Sequence, residues 1–135
     1  MTDRQPPQPP PGPLQPPVPP QTLDAAALAR LRELDPDGRH GVLQRVLTAY
    51  EISLVRMHAQ VAAQLDAPDA EVLKSVTHTL KSSSAAVGAL SLAQCCSELE
   101  RGLREGTVVD LRAEVRRLLA ETETAQSAVE AMLHP

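Results

Sequence analysis

One histidine in this sequence sits where a histidine can react. His78 opens the run His78-Thr79-Leu80-Lys81-Ser82-Ser83-Ser84-Ala85-Ala86-Val87-Gly88-Ala89-Leu90. On a helix at about 100° per residue, Glu71, Lys74, Ser75, Lys81, Ser82 and Ala85 all fall within roughly 60° of it. The opposite side carries Leu73, Val76, Leu80, Ser83 and Val87, whose alternating steps read as a buried seam. His78 therefore faces water midway along a helix, ringed by small or cationic side chains. Neutral imidazole is nucleophilic near physiological pH because its unperturbed pKa is about 6.5, and a phosphoryl group on its nitrogen stays easily transferred. A partner that brings its own phosphorylated group in line needs a clear approach. Ser75, Ser82 and Ala85 are small enough to allow one. Lys81, one turn on, can stabilise the charge on arriving phosphoryl oxygens, and Lys74, one turn before, can do the same or steer an acidic partner. They are the only two lysines in the chain, and both lie on the histidine's face. The plainer reading of the pair is two solvated side chains.

The elements that must hold this face are helices. The aromatic share is 1 %, a lone Tyr50, so the core has to be built from Leu, Val, Ala and Met, which suits packed helices better than a sheet. At 135 residues there is room for one domain. Residues 1–21 hold ten of the 13 prolines and little apolar surface, and read as a disordered, proline-rich linker. Residues 22–135 read as the domain, expected to be the terminal domain of a multidomain protein carried on a flexible arm.

Within it, Thr22 or Asp24 caps a short helix with Ala27, Leu28, Leu31 and Leu34 on its apolar side, ended by the turn chemistry of Asp35-Pro36-Asp37-Gly38. A second helix runs from about Gly41 to Leu65 with the seam Leu43, Leu47, Tyr50, Leu54, Met57, Val61 and Leu65. The third, from about Asp69 to Val87, carries His78, with Gly88 as its C-cap and Ser91 capping the fourth. The fourth buries Leu92, Cys95, Cys96, Leu99 and Leu103 and closes at Gly106. The last, from about Val108 to Leu133, buries Leu111, Val115, Leu118, Thr122, Ala125, Val129 and Met132. Four long helices with short connections make an all-α, antiparallel up-down four-helix bundle, with the short additional N-terminal helix across one end.

Several function classes drop out. A formal charge of −4 argues against nucleic acid, which calls for a basic patch. No apolar run has the length of a membrane span, so direct membrane contact is not expected and the location reads as cytoplasmic. Cys95 and Cys96 have no other thiol to pair with and no zinc-type spacing, and read as packing residues. The sequence shows no phosphate loop, nucleophile elbow, His-Glu-x-x-His or di-iron tetrad, so an enzyme acting on its own is not expected. The carboxylates read mainly as a solvated face.

His78-Thr79-Leu80-Lys81, then Ser83-Ser84-Ala85-Ala86-Val87-Gly88-Ala89, then Leu92-Ala93-Gln94-Cys95-Cys96-Ser97-Glu98-Leu99-Glu100, resembles the histidine-containing phosphotransfer domain of multistep phosphorelays. The resemblance covers about residues 22–133. It implies a carrier that accepts a phosphoryl group from a receiver-domain aspartate onto His78 and passes it to another receiver, with Lys81 stabilising the charge. It also implies no intrinsic cofactor and no bound metal, Mg²⁺ belonging to the partner receiver. The parent chain would be a hybrid sensor kinase, which could tether the domain to a membrane. Ser82 stands where that family usually has glycine, and Tyr50 is the one aromatic candidate where it tends to have phenylalanine. A sensor-kinase dimerisation helix is a poorer match, because no acidic residue and proline follow His78. The rival from another class is a helical adaptor that docks receivers or kinases without phosphotransfer. On the expected pairing of the second and third helices, His58 lies at about the level of His78 and, with Arg56, borders the docking face.

Overall fold

The computed structural model describes residues 22–135, so the proline-rich segment 1–21 lies outside the described residues. Five helices follow in order: α1 Ala25–Glu33, α2 Val42–Ala62, α3 Ala70–Val87, α4 Leu90–Glu105 and α5 Leu111–Leu133. Helices α2 to α5 form a closed ring of neighbours, α2 against α3, α3 against α4, α4 against α5 and α5 back against α2, while α1 packs on α2 and α3. Partner numbers rise on one helix as they fall on the next, Ser91 with Glu121 and Glu98 with Arg117 across α4 and α5, His58 with Glu123 and, just past the end of α2, Leu65 with Arg112 across α2 and α5. Tyr50 early on α2 meets Ser84 late on α3, and a tight turn joins α3 to α4, so neighbours are antiparallel. The fold is the all-α up-down bundle with an additional N-terminal helix that the seams imply.

Local chemistry sets the helix ends. Asp24, Asp69 and Asp110 accept hydrogen bonds from the first free backbone N–H groups of α1, α3 and α5. Asp110 therefore starts α5 at Leu111, three residues later than the apolar pattern indicates. Gly88 and Gly106 end α3 and α4 in the left-handed region. Gly88 has a second reason to be glycine: its carbonyl accepts from Asp24 N–H at 2.9 Å, and a Cβ on it would lie 2.6 Å from that nitrogen. The tight turn feeds straight into α4, whose N-cap is Ala89. Ser91 is already inside the helix and donates to Glu121 at 2.8 Å instead of capping.

The core is aliphatic, with Leu47, Leu54, Leu73, Leu80, Leu92, Leu99 and Leu118 fully covered. It departs from the expected seams at three places. Ser84, not Ser83, is buried on α3, because the Tyr50 hydroxyl on α2 gives it a partner at 2.8 Å; Ser83 instead bonds back to Thr79. Ala128 replaces Met132 toward the end of α5, and Leu34 is exposed where α1 stops short. Burial pushes the Tyr50 phenol up to about 12, and the free thiols of Cys95 and Cys96 up to about 11 and about 12, as suits inert packing groups. In the α1–α2 turn, burial works to raise the Asp35 carboxyl, but backbone N–H groups of Val42 and His40 outweigh it and hold the acid below its ordinary value. No helix among the described residues is long and apolar enough to cross a membrane.

Candidate functional site

The outer face of α3 and the adjoining edge of α4 make a shallow, open groove lined by Lys74, Ser75, His78, Thr79, Glu100 and Arg104. Thr77 anchors the inner side of α3 here, buried and bonded back to the Leu73 carbonyl at 2.8 Å. One residue on, His78 points out, its side chain 77 % exposed. Ser75, Ser82 and Ala85 are exposed beside it, so the surface around the ring has low relief. Lys74 is paired on its own helix with Glu71 at 3.2 Å.

What the periodicity of α3 alone does not supply is the carboxylate beneath the ring. Glu100 reaches across from α4 with only 16 % of its side chain exposed. Its Oε1 accepts from Lys81 Nζ at 3.1 Å, and Arg104 Nη1 stands 3.9 Å from the same oxygen. Its Oε2 is buried without a hydrogen-bond partner and lies 3.6 Å from His78 Nδ1. The hydrogen bond from Lys81 holds the Glu100 carboxyl below the usual carboxylate range; burial opposes this, and the charges of Lys81, His78 and Arg104 add to it. The ring is thus oriented with Nδ1 toward the protein and Nε2 toward solvent.

Of the residues expected at the site, His78, Lys81, Lys74, Ser75, Ser82 and Ala85 share this face, and Gly88 closes the helix that bears them. His58 does not. It bonds to Glu123 at 3.2 Å in the seam between α2 and α5, the edge of the ring opposite α3 and α4. Pairing of α2 with α3 fixes its level along the axis but not the side of α2 from which it projects. Arg56 is exposed on α2 and lines none of the groove. Glu100 and Arg104 are the functional candidates that sequence reasoning passed over. In the sequence, Glu100 stood out only as the last residue of the 92–100 run that carries the family resemblance, with no role at the site, and Arg104 follows it by one turn. Among the described residues no group of three or more His, Cys, Asp or Glu could hold a metal ion.

An exposed histidine on a four-helix bundle, with a lysine one turn on and small neighbours, defines a class, and the Hpt domain family model matches residues 45–128. The chain belongs to that family, the histidine phosphotransfer domains of phosphorelays, whose members carry phosphoryl groups. Among solved structures it is similar to histidine-containing phosphotransfer protein B from Pseudomonas aeruginosa PAO1, at 26 % identity and a TM-score of 0.68, over 82 % of this chain and 93 % of that one. No curated protein matches the sequence.

Proposed function

We propose that His78 is the phosphoacceptor, and that the domain takes a phosphoryl group from the aspartyl phosphate of one receiver domain and delivers it to the aspartate of another. The observation that carries this is the pose of the ring: exposed, with Nδ1 facing Glu100 and Nε2 outward. Glu100 favours the tautomer with its proton on Nδ1, which leaves the Nε2 lone pair free. That pair attacks phosphorus as the bond from phosphorus to the aspartyl oxygen breaks, its electrons staying on the leaving carboxylate. The ring keeps its Nδ1 proton and gains positive charge, which develops beside the Glu100 carboxylate. Lys81 stabilises the phosphoryl oxygens during transfer. No metal of this chain takes part; Mg²⁺ and the carboxylates that hold it belong to the receiver.

Lys74, Ser75, Ser82 and Ala85 form the surface on which the receiver docks, Ser82 and Ala85 by letting its backbone come close. The same reading makes the domain a cytoplasmic module of a hybrid sensor kinase. The test is transfer from a phosphorylated receiver domain to the native protein and to His78→Gln. Acid-labile label on the native protein and none on the variant is expected. Binding of receivers by a native protein that never takes label would instead make it a docking adaptor.

A further inference from the structure

Two cations crowd one oxygen of Glu100 while its other oxygen has no hydrogen-bond partner. Lys81 holds Oε1 at 3.1 Å while Arg104 waits 3.9 Å from the same oxygen, its side chain 67 % exposed and free to move. Arg104 follows Glu100 by one turn on α4, so it stays beside the carboxylate whatever the side chains of α3 do. Lys81 is on α3, one turn from His78, and belongs as much to the histidine's face as to Glu100.

Resting on the reading of His78 as phosphoacceptor, the geometry points to a hand-over: when His78 takes up phosphate, Lys81 turns from Glu100 to the phosphoryl oxygens and Arg104 closes on Glu100 in its place, making Arg104 a positioning residue for transfer. A phosphoryl group brings roughly two negative charges within reach of Lys81, a stronger attraction than one carboxylate offers. Glu100, mostly covered, then keeps the charged ring beside Oε2 but loses the partner of Oε1, and a covered carboxylate oxygen stripped of its charged hydrogen bond is costly. It must also stay ionised, since positive charge develops on the ring 3.6 Å from its Oε2. Arg104 meets both needs. Without it, Glu100 competes with the phosphoryl group for Lys81.

The experiment is a double-mutant cycle on initial transfer rates from a phosphorylated receiver domain, using native protein, Arg104→Ala, Arg104→Lys, Glu100→Gln and the Glu100→Gln/Arg104→Ala double variant. It is joined by the ¹⁵N resonance of Arg104 Nε in the native and Glu100→Gln proteins, phosphorylated and then separated from the receiver. Arg104→Ala is expected to slow transfer about fivefold in the native background and by less than about twofold in Glu100→Gln, with Arg104→Lys recovering most of the loss. The Arg104 resonance should shift on phosphorylation in the native protein only. Equal slowing in both backgrounds would mean that Arg104 touches the receiver and would overturn the hand-over. So would an unmoved Arg104 resonance, the result if the three donors of Lys81 bridge carboxylate and phosphoryl group together, and so would full native speed in Arg104→Ala. Absence of label on the native protein would be a different failure, that of the phosphoacceptor reading itself.

Discussion

The bundle holds two histidine–glutamate pairs, on opposite edges, and only one has the makings of a transfer site. His58 with Glu123, across α2 and α5, is the closer pair at 3.2 Å, and its engaged atom is Nε2. The ring is 29 % exposed, and beside it α2 presents the aliphatic Val55. His78 with Glu100, across α3 and α4, is looser at 3.6 Å, engages Nδ1, and leaves the ring open to a partner. The burial is reversed as well: at the first pair the carboxylate is the exposed member, at the second the histidine is. A carboxylate beneath a ring orients it; a carboxylate in solvent only caps it. Lysine completes the contrast, since Lys81 joins Glu100 and neither lysine lies on α2 or α5.

The largest expected difference is in the rings themselves. His78→Gln should take up no label from a phosphorylated receiver, and His58→Gln should match the native protein; a loss in His58→Gln would erase the distinction. Lys81→Ala comes next, with an expected slowing of about thirtyfold, because a charge that stabilises transferring phosphoryl oxygens is lost while a half-buried side chain outside the core leaves the fold intact. Circular dichroism should be unchanged, and native transfer rates in this variant would remove Lys81 from the chemistry.

Glu100→Gln is expected to cost about tenfold, against no change for Glu123→Gln. Ring ¹⁵N shifts of neutral His78 should show less proton on Nδ1 in Glu100→Gln, which separates orientation of the ring from general damage. The smallest effect is on stability against pH. The Glu100 carboxyl is held low first by the Lys81 hydrogen bond, so its folded pKa lies below its unfolded one of about 4.3. The pair therefore stabilises the protein above that value, and the contribution is lost as pH falls through the folded pKa. Urea midpoints of native protein and Lys81→Ala should differ at about pH 7 and converge by about pH 2. A gap that stays constant with pH would show that Lys81 stabilises through packing of its stem instead.

Most of the helices could be read from one dimension because their causes are local. Apolar residues spaced for α-helix, with aspartates ahead of α3 and α5 and glycines after α3 and α4, specify α2 to α5 to within a few residues. The same periodicity puts His78 and Lys81 together off the seam of α3. Where local signals tie, they fail. Ser83 and Ser84 both suit a seam that alternates three and four, and the choice between them is made by the Tyr50 hydroxyl on another helix. His58 could be placed along its helix but not around the bundle, for the same reason.

By itself, then, the sequence determined an amphipathic bundle and an exposed histidine with a lysine one turn away, since both follow from the angle between successive residues on one helix. Only the tertiary structure decided that α3 lies antiparallel to α4 in the register that slides Glu100 under the ring and brings Arg104 alongside. That register comes from the tight turn at Gly88 and the packing of the two buried faces on each other, a property of two helices together that neither carries alone.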